Sequence, residues 1–362
     1  MSIAGSRKAE IVKALSLLAM SPDKCAQAVE YAATLDAAGR AQLLDLADGH
    51  HVVLRAMEPL QKTAAQIGNA DLSDWASKAI GDEHKRISNA LQFLESICRK
   101  LEAAGCEITV MKSLDHWPDL GNDLDLYTPD PPEQVKRVFL DSLNATMNER
   151  TWGDRLANKW NFSLPGLREQ VEVHSKRLGQ TGEHIAIASR LHLRRMQRKV
   201  GDYSFYVPAP EERVIATTLQ RMYRHFFFRI CDVMNTAELV RSGSLDFTKL
   251  RISAELGSIW PGVATLLRLV SEYTALYGGS GIDLPAEVIS SSRFGLEKVE
   301  VKGRGFLRLP LVSEVPRLYT LQVANTVLRG NMVSAFRLSL FLPLASAAAL
   351  RYAITGDEHG IW

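Results

Sequence analysis

The segment from residue 107 to 127 constrains the fold most, because it joins an apolar strand to a charged one. It begins with an apolar run typical of a buried strand, crosses a polar loop, and ends in an Asp-Leu-Asp-Leu run. Neighbouring side chains of a strand point to opposite faces, so Asp123 and Asp125 share one face while the two leucines face a core. Paired carboxylates repel each other unless a cation lies between them, and Mg²⁺ prefers oxygen ligands. The pattern therefore predicts a metal-binding strand.

Two further motifs give this strand a chemical context. Lys112-Ser113 closes the first strand, and Glu172 and His174 alternate with valines on a later strand-like run. The same alternation puts Glu172 and His174 on one face, and we expect that face to be the one bearing the two aspartates. An Asp-x-Asp triplet alone occurs by chance about once in a chain of this length, and a solvated edge strand is its plain structural interpretation. The combination of motifs favours a functional site.

These motifs resemble those of the nucleotidyltransferase superfamily with the polymerase-β-like fold, and most closely the bacterial group usually called uncharacterised nucleotidyltransferases. That group has a Lys-Gly pair, an Asp-x-Asp run and a later Asp-x-His, matched here by Lys112-Ser113, Asp123-Leu124-Asp125 and Glu172-Val173-His174. Ser113 stands where the group often has Gly, Glu172 stands where it has Asp, and no Arg directly precedes Asp123. The resemblance implies transfer of a nucleoside monophosphate from an NTP, with ATP as the default, to a hydroxyl group, with release of pyrophosphate.

The resemblance also implies roles for individual residues. Two Mg²⁺ ions would be held by three carboxylates, Asp123, Asp125 and Glu172, with Glu172 as ligand or general base. The triphosphate would be bound at the end of the first strand by Lys112 and Ser113. Further contacts to phosphate or acceptor would come from His174, Lys176 and Arg229. An alternative for Lys176 is a surface charge that closes the strand. An alternative for Arg229 is a salt-bridged polar stripe, buried between helices, that also contains Arg221, His225 and Asp232.

Two other functions remain open from the sequence. A protein with the nucleotidyltransferase fold could bind nucleotide or a protein partner without turnover, which the Ser-for-Gly change and the missing Arg favour. A purely helical interaction protein would make the Asp-x-Asp incidental. The acceptor of an active enzyme could be a small molecule, a peptide or a protein side chain, and the sequence does not choose among them.

Composition excludes some classes of function. The 362 residues are 46% hydrophobic and 23% charged, as in an ordinary soluble protein, and the formal net charge of +2 argues against a nucleic-acid partner. The four cysteines are scattered without ligand spacing, and no apolar signal-peptide core follows the N-terminus, so we expect a cytoplasmic protein. The apolar tail at 333–354 is interrupted by Pro343 and too short to span a bilayer, so we expect no membrane span.

The periodicity predicts an α+β fold in three regions, with a small mixed nucleotidyltransferase-type sheet flanked by helical segments. Residues 1–102 are expected to be helical, 103–207 to form the catalytic domain, and 208–362 to be helical again. Individual expectations include a helix starting at Ser21-Pro22-Asp23, a helix over 38–66 bent at Gly49 with His50 and His51 on the surface, a basic helix around 190–199, and a continuous helix from 210 to 232.

Overall fold

The computed structural model describes residues 7–21, 25–303, 305–341 and 343, and these form an α+β fold. The helices are α1 (Arg7–Met20), α2 (Ala26–Ala33), α3 (Ala37–Gly49), α4 (Val53–Gln66), α5 (Ala70–Ala103), α6 (Pro132–Arg137), α7 (Trp152–Ala157), α8 (Ile185–Leu193), α9 (Pro210–Gln220), α10 (Ile230–Arg241), α11 (Phe247–Leu256), α12 (Trp260–Gly278), α13 (Ala286–Ser291), α14 (Glu314–Leu328) and α15 (Met332–Ser339). The strands are β1 (Thr109–Met111), β2 (Asp123–Thr128), β3 (Thr146–Met147), β4 (Lys159–Ser163), β5 (Gln170–Ser175), β6 (Arg195–Val200), β7 (Tyr203–Pro208), β8 (Phe227–Phe228), β9 (Glu300–Lys302) and β10 (Phe306–Arg308).

The largest sheet is small and mixed, as the sequence predicts. Its order is β1-β2-β5-β4-β3, with β2 and β5 parallel and the other neighbours antiparallel. One face carries the apolar side chains of the alternating strands, which pack on the second half of α5 and on the β6–β7 hairpin. The opposite face carries the polar side chains. The strict alternation of β2 and β5 therefore divides the sheet into a core face and a polar face.

The helices before and after this sheet share a single hydrophobic core. Leu15 of α1 and Leu60 of α4 are fully buried in the same cluster as Val233 of α10 and Tyr273 of α12. The Ser16 and Tyr273 hydroxyls are joined by a 2.6 Å hydrogen bond inside it. The first and third regions of the chain thus pack as one helical body. The sheet region packs against this body.

Helix α5 connects the helical body to the sheet. It is 34 residues long and begins with Asn69, whose side chain accepts a hydrogen bond from the backbone of Leu72. Its first half packs in the helical body through Leu72, and its second half packs under the sheet through Leu94. One uninterrupted helix therefore belongs to both cores.

The loop between β1 and β2, which leads into the Asp-x-Asp run, is held by Arg55. The Arg55 guanidinium donates to the backbone carbonyls of His116 and Trp117 at 2.9 and 2.7 Å. Asp119 in the same loop is buried, lies 3.6 Å from Arg55 and accepts from the first backbone N–H groups of α4. Such a carboxylate caps the helix and complements its dipole.

A second buried arginine, Arg86 of α5, holds the end of the same loop. It donates to the carbonyls of Leu120 and Gly121 at 2.9 and 3.3 Å. It also pairs with Glu83 and Glu169 at 2.6 and 2.5 Å. The backbone entering β2 is therefore fixed by side chains of the N-terminal helices.

Two helix expectations are wrong because residues in left-handed conformations end helices there. The chain breaks between α3 and α4, where His51 has φ 52°, so no single helix covers 38–66. His50 and His51 are buried rather than exposed. His50 donates to the Gly305 carbonyl and accepts from the Ile230 amide, both at 3.1 Å, which joins this break to the start of α10.

The second wrong expectation is the continuous helix over 210–232. Helix α9 widens into a π-helical turn at Arg221–His225, and Phe226 follows with φ 57°. Strand β8 then pairs with β10 before α10 begins. The four polar residues of the expected stripe are therefore split between the turn and the start of α10. Pairing with the edge of another strand outweighs the helical periodicity of this segment.

The basic run at 190–199 is not one helix either. Helix α8 ends at Leu193, and the residues from Arg195 form β6, which pairs with β7. Arg194 forms ion pairs with Glu211 and Glu212 at 2.8 and 2.9 Å. The other arginines of the run also form ion pairs within the protein: Arg190 with Glu212, Arg195 with Glu107 and Arg198 with Asp115. Their charges are therefore balanced internally.

Two expectations fall partly outside the described residues. Helix α2 covers the middle of the expected second helix, whose start at Pro22-Asp23 lies outside them, as does most of the tail beyond α15. Within the described ranges, we found no helix of the length and apolar character required to cross a bilayer.

Candidate functional site

The polar face of the sheet brings the predicted acids together. Asp125 of β2 lies directly opposite Glu172 of the parallel strand β5, and Asp123 lies two residues earlier on the same face. Val171 and Val173 are fully buried in the core on the other side. The register expected from alternation is therefore correct. We call Asp123, Asp125 and Glu172 the acid face.

Three side chains are close enough to share one metal ion. Each of Asp125, Glu172 and His174 offers a ligand atom, and these atoms lie within 4.8 Å of one another. Asp123 is outside this group and its side chain is exposed at the rim. The geometry thus adds His174, which we expected at the nucleotide, to the possible ligands. Two carboxylates suit Mg²⁺, while a histidine nitrogen is a better ligand for Mn²⁺ or Zn²⁺.

Two lysines neutralise part of this acid face. The Lys112 ammonium lies 2.6 Å from Asp125 Oδ1. The Lys159 ammonium bridges Glu172 Oε2 at 2.8 Å and Asp154 Oδ1 at 2.9 Å. Lys159 and Asp154 are not predicted by the sequence analysis, because their relation to β5 depends on the pairing of β4. The only sequence signal is that Lys159 opens a strand-like run shortly before the one that carries Glu172.

The two facing carboxylates differ in their pKa values. Burial raises the pKa of Asp125 to about 6, and the charges of Glu172 and Asp123 add to the rise against the opposing effect of Lys112. Burial would also raise the pKa of Glu172, but Lys159 and the bond to His174 outweigh it and hold that pKa well below its usual value. Glu172 is therefore ionised at neutral pH, while Asp125 gains its charge only above about pH 6.

His174 is neutral in this environment and has one free nitrogen. Burial lowers its pKa, and its Nε2 lies 2.7 Å from Glu172 Oε1. Because Glu172 is ionised, Nε2 carries the hydrogen and donates it. The other nitrogen, Nδ1, is buried and has no hydrogen-bond partner in the described part of the chain.

The structure does not support two of the predicted phosphate contacts. The Ser113 hydroxyl accepts from the Asp125 backbone N–H at 2.7 Å and donates to the Asp123 carbonyl at 3.1 Å, so it is used in holding β2. Lys176 has an exposed side chain, forms no ion pair with the residues that the structure describes, and its backbone leaves β5 with φ 64°. Its alternative interpretation as a surface charge fits this position.

A basic wall stands opposite the acid face, and we define it as Arg221, Arg224, His225 and Arg229. Arg221 is buried and pairs with Asp232 at 2.7 Å. Arg229 has no carboxylate partner within the described ranges and instead lies over the rings of Phe227 and Phe306 at 5.9 and 5.3 Å and against His51. Burial and the neighbouring Arg221 lower the pKa of Arg229 to about 10.

Electrostatics links this basic wall to the acid face. Although the Asp123 side chain is exposed, partial desolvation in the cleft raises its pKa, and the charge of Glu172 raises it further. The positive charges of Lys112, Lys159 and Arg229 oppose this rise. Burial lowers the pKa of His225 most, and the other three residues of the basic wall lower it further. Lys112 adds a smaller effect in the same direction. Arg229 therefore belongs to the Asp123 end of the cleft. An unpaired guanidinium opposite carboxylates is suited to a phosphate group that a cation bridges to those carboxylates.

The comparisons with known proteins do not assign a family to the chain. No family model matches the sequence, and no curated protein or solved structure is significantly similar to it.

Proposed function

We propose that this protein is a metal-dependent nucleotidyltransferase with a nucleotidyltransferase-type sheet. It transfers a nucleoside monophosphate from an NTP, with ATP as the default, to the hydroxyl of an unknown small-molecule, peptide or protein acceptor. The observation that carries the proposal is Asp125 directly opposite Glu172, with Asp123 on the same face and the unpaired Arg229 across the cleft. Its expected compartment, the cytoplasm, stays a prediction.

The carboxylates would hold the metal, and their chemistry fits this role. Asp125 and Glu172 would share one ion, and Asp123, two residues along the strand, would extend the site towards a second. When bound, Mg²⁺ neutralises and orients the triphosphate oxygens. Lys112 has its ammonium beside Asp125, from where it can contact the same phosphates. Arg229 would contact the triphosphate from the opposite wall, since no carboxylate of the described residues forms an ion pair with it and it lies over Phe227 instead.

The reaction exchanges one phosphorus–oxygen bond for another. The acceptor oxygen bonds to the α-phosphorus of the NTP, and the bond from that phosphorus to the bridging oxygen breaks, so pyrophosphate leaves with the electron pair. The hydroxyl proton passes to the Glu172 carboxylate, whose oxygens each keep a second lone pair beside their bonds to Lys159 and His174. A weak carboxylate base is sufficient, because positioning and charge neutralisation supply most of the catalysis of phosphoryl transfer.

A second function, nucleotide or partner binding without turnover, has its own support. The Lys112 ammonium already pairs with Asp125, and the Ser113 hydroxyl is used by the backbone of β2. Both features reduce what the end of β1 can offer to a phosphate. This protein would bind Mg-ATP but release no pyrophosphate.

Two measurements test the proposal. Isothermal titration calorimetry with ATP, with and without Mg²⁺, should show binding that depends on the metal and is lost in the Asp123→Asn, Asp125→Asn double variant. The matched control is Asp202→Asn, which changes an exposed aspartate in the turn between β6 and β7. Pyrophosphate release in the presence of a pool of candidate acceptors then separates the enzyme from the binding protein. Equal Mg-ATP affinity in the double variant would refute the site.

A further inference from the structure

A cavity adjoins the acid face at the end away from Arg229. It lies between the polar face of the sheet, the loop after β5 and the basic wall, and has a volume of about 50 Å³. A smaller pocket beside it, which shares His174, Gln180 and Arg224 and which we call its extension, reaches Lys159 and Asp154. The residues that matter for its chemistry are Met111, Lys112, His174, Gln180, Leu219 and Arg224.

Three of these residues carry buried polar atoms without partners among the described residues. They are His174 Nδ1, Gln180 Oε1 and Arg224 Nε, and all three residues line both the cavity and its extension. His174 is only 4% exposed and its Nε2 is bound to Glu172, so Nδ1 is the ring nitrogen left for a ligand. A buried polar atom without a partner destabilises the folded protein, because it has lost its hydrogen bonds to water. Three of them around one cavity indicate that a ligand completes their hydrogen bonds.

The unpartnered atoms define the chemistry of that ligand. His174 Nδ1 and Gln180 Oε1 accept hydrogen bonds, so the ligand has to present hydroxyl or N–H groups to them. Arg224 donates and is positively charged, and Glu183, the carboxylate that also lines the cavity, is already bonded to Thr181, so the ligand also has to present an oxyanion. The volume admits roughly three or four heavy atoms, enough for one anionic group or a few atoms beside a hydroxyl, so the rest of a larger ligand extends out of the cavity towards Glu172. Met111 and Leu219 cover its carbon skeleton.

The position of the cavity fits the second substrate of the proposed reaction. His174 lies two residues beyond Glu172 along β5, roughly 7 Å away, while Asp123 and Arg229 lie at the opposite end. An NTP bound at the Arg229 end would have its α-phosphorus near Asp125 and Glu172, which leaves the cavity on the far side for the incoming hydroxyl. An in-line displacement requires the two groups on opposite sides.

We propose that this cavity binds the acceptor, and that the bound part is a small hydroxylated anion in which a hydroxyl and a carboxylate or phosphate are a few atoms apart. The assignment rests on the proposed nucleotidyltransferase function. His174, Gln180 and Arg224 position the acceptor so that its hydroxyl lies towards Glu172.

Four small probes test the chemistry, with binding measured by ligand-observed NMR on the full chain. D-glycerate and glycerol 3-phosphate carry both groups, with a carboxylate and a phosphate respectively, whereas glycerol lacks the anion and propionate lacks the hydroxyl. We expect at least one of the first pair to bind at least tenfold more tightly than glycerol and propionate, and the better probe of the two identifies the anion. Arg224→Gln and Gln180→Met should each weaken that binding at least tenfold. Arg99→Gln, an exposed arginine of α5, is the matched control.

The outcomes separate this inference from the proposed function. Absence of binding by both hydroxylated anions, or equal binding in Arg224→Gln, overturns the inference. Displacement of the bound probe by Mg-ATP overturns it as well, because the cavity would then belong to the nucleotide. Simultaneous binding of probe and Mg-ATP supports it. A protein that binds the probe through Arg224 but never binds Mg-ATP keeps the cavity assignment and refutes the nucleotidyltransferase.

Discussion

Replacing Asp125 by Asn should change how the stability of the protein depends on pH. Burial raises the pKa of Asp125 from 3.8 to about 6 in the folded state. A raised carboxyl pKa contributes stability that is fully present below pH 4 and is lost as the pH rises through about 6. A shift of this size corresponds to about 3 kcal/mol. Because about a third of this loss already occurs below pH 4.5, wild type should lose about 2 kcal/mol relative to Asp125→Asn between pH 4.5 and pH 7.5.

The comparison of two pH values removes the main complication. The variant also removes the partner of Lys112, but the pKa of about 6 already includes the attraction of that ammonium, so the change of stability with pH reports the net effect of ionising Asp125. Urea denaturation of both proteins at pH 4.5 and 7.5 gives the required free energies of unfolding, and Asp202→Asn serves as the surface control. A difference between wild type and Asp125→Asn that is the same at both pH values would refute the assignment of the raised pKa.

Mg²⁺ provides the second half of the same experiment. Because the metal binds the ionised carboxylate, MgCl₂ should raise the unfolding free energy of wild type at pH 7.5 more than at pH 4.5. It should have little effect on Asp125→Asn at either pH. An equal effect of Mg²⁺ on the variant would place the ion elsewhere.

Three further variants test other parts of the site. Lys112→Met should weaken Mg-ATP binding at least tenfold in calorimetry, with little change in melting temperature. A lower melting temperature with unchanged affinity would instead show that Lys112 only neutralises the charge of Asp125. Glu172→Gln should reduce pyrophosphate release more than Mg-ATP affinity, and equal losses would contradict a role in the chemical step. Arg86→Met should cost about 3–5 kcal/mol in urea denaturation, because Glu169 is left buried and unpaired, and a loss below about 1 kcal/mol would contradict that charge network.

The parts of the site that local alternation controls could be predicted from the sequence. The faces of β2 and β5 follow from the period of two, and the buried valines beside Glu172 fix the register. The same rule does not predict the contact between Lys159 and Glu172, because that contact depends on how β4 pairs with β5. The metal group differs from expectation for a similar reason, since the strand face is predictable but the distance between Asp123 and Glu172 is not.

Errors in the helical regions have a different physical origin. His50 and His51 are polar and adjacent, which is typical of a surface, yet distant backbone groups satisfy the hydrogen bonds of His50 in the interior. The break after Arg221–His225 occurs because β8 adds to β10, a contact about eighty residues away in sequence. Local periodicity carries no information about such partners. The basic wall could therefore not be placed before the structure was known.

The double role of α5 has a consequence for how substrates enter. The sheet that carries the acid face packs through its apolar side on the second half of α5, and the basic wall belongs to the helical body that includes the first half. A helix of 34 residues is a rod about 50 Å long, and no proline interrupts it. Opening the cleft by rotating one body against the other would require this rod to bend. Access is therefore governed by the loop after β5 and by side chains such as Arg224 and Lys112, and the width of the cleft is set by the rod itself.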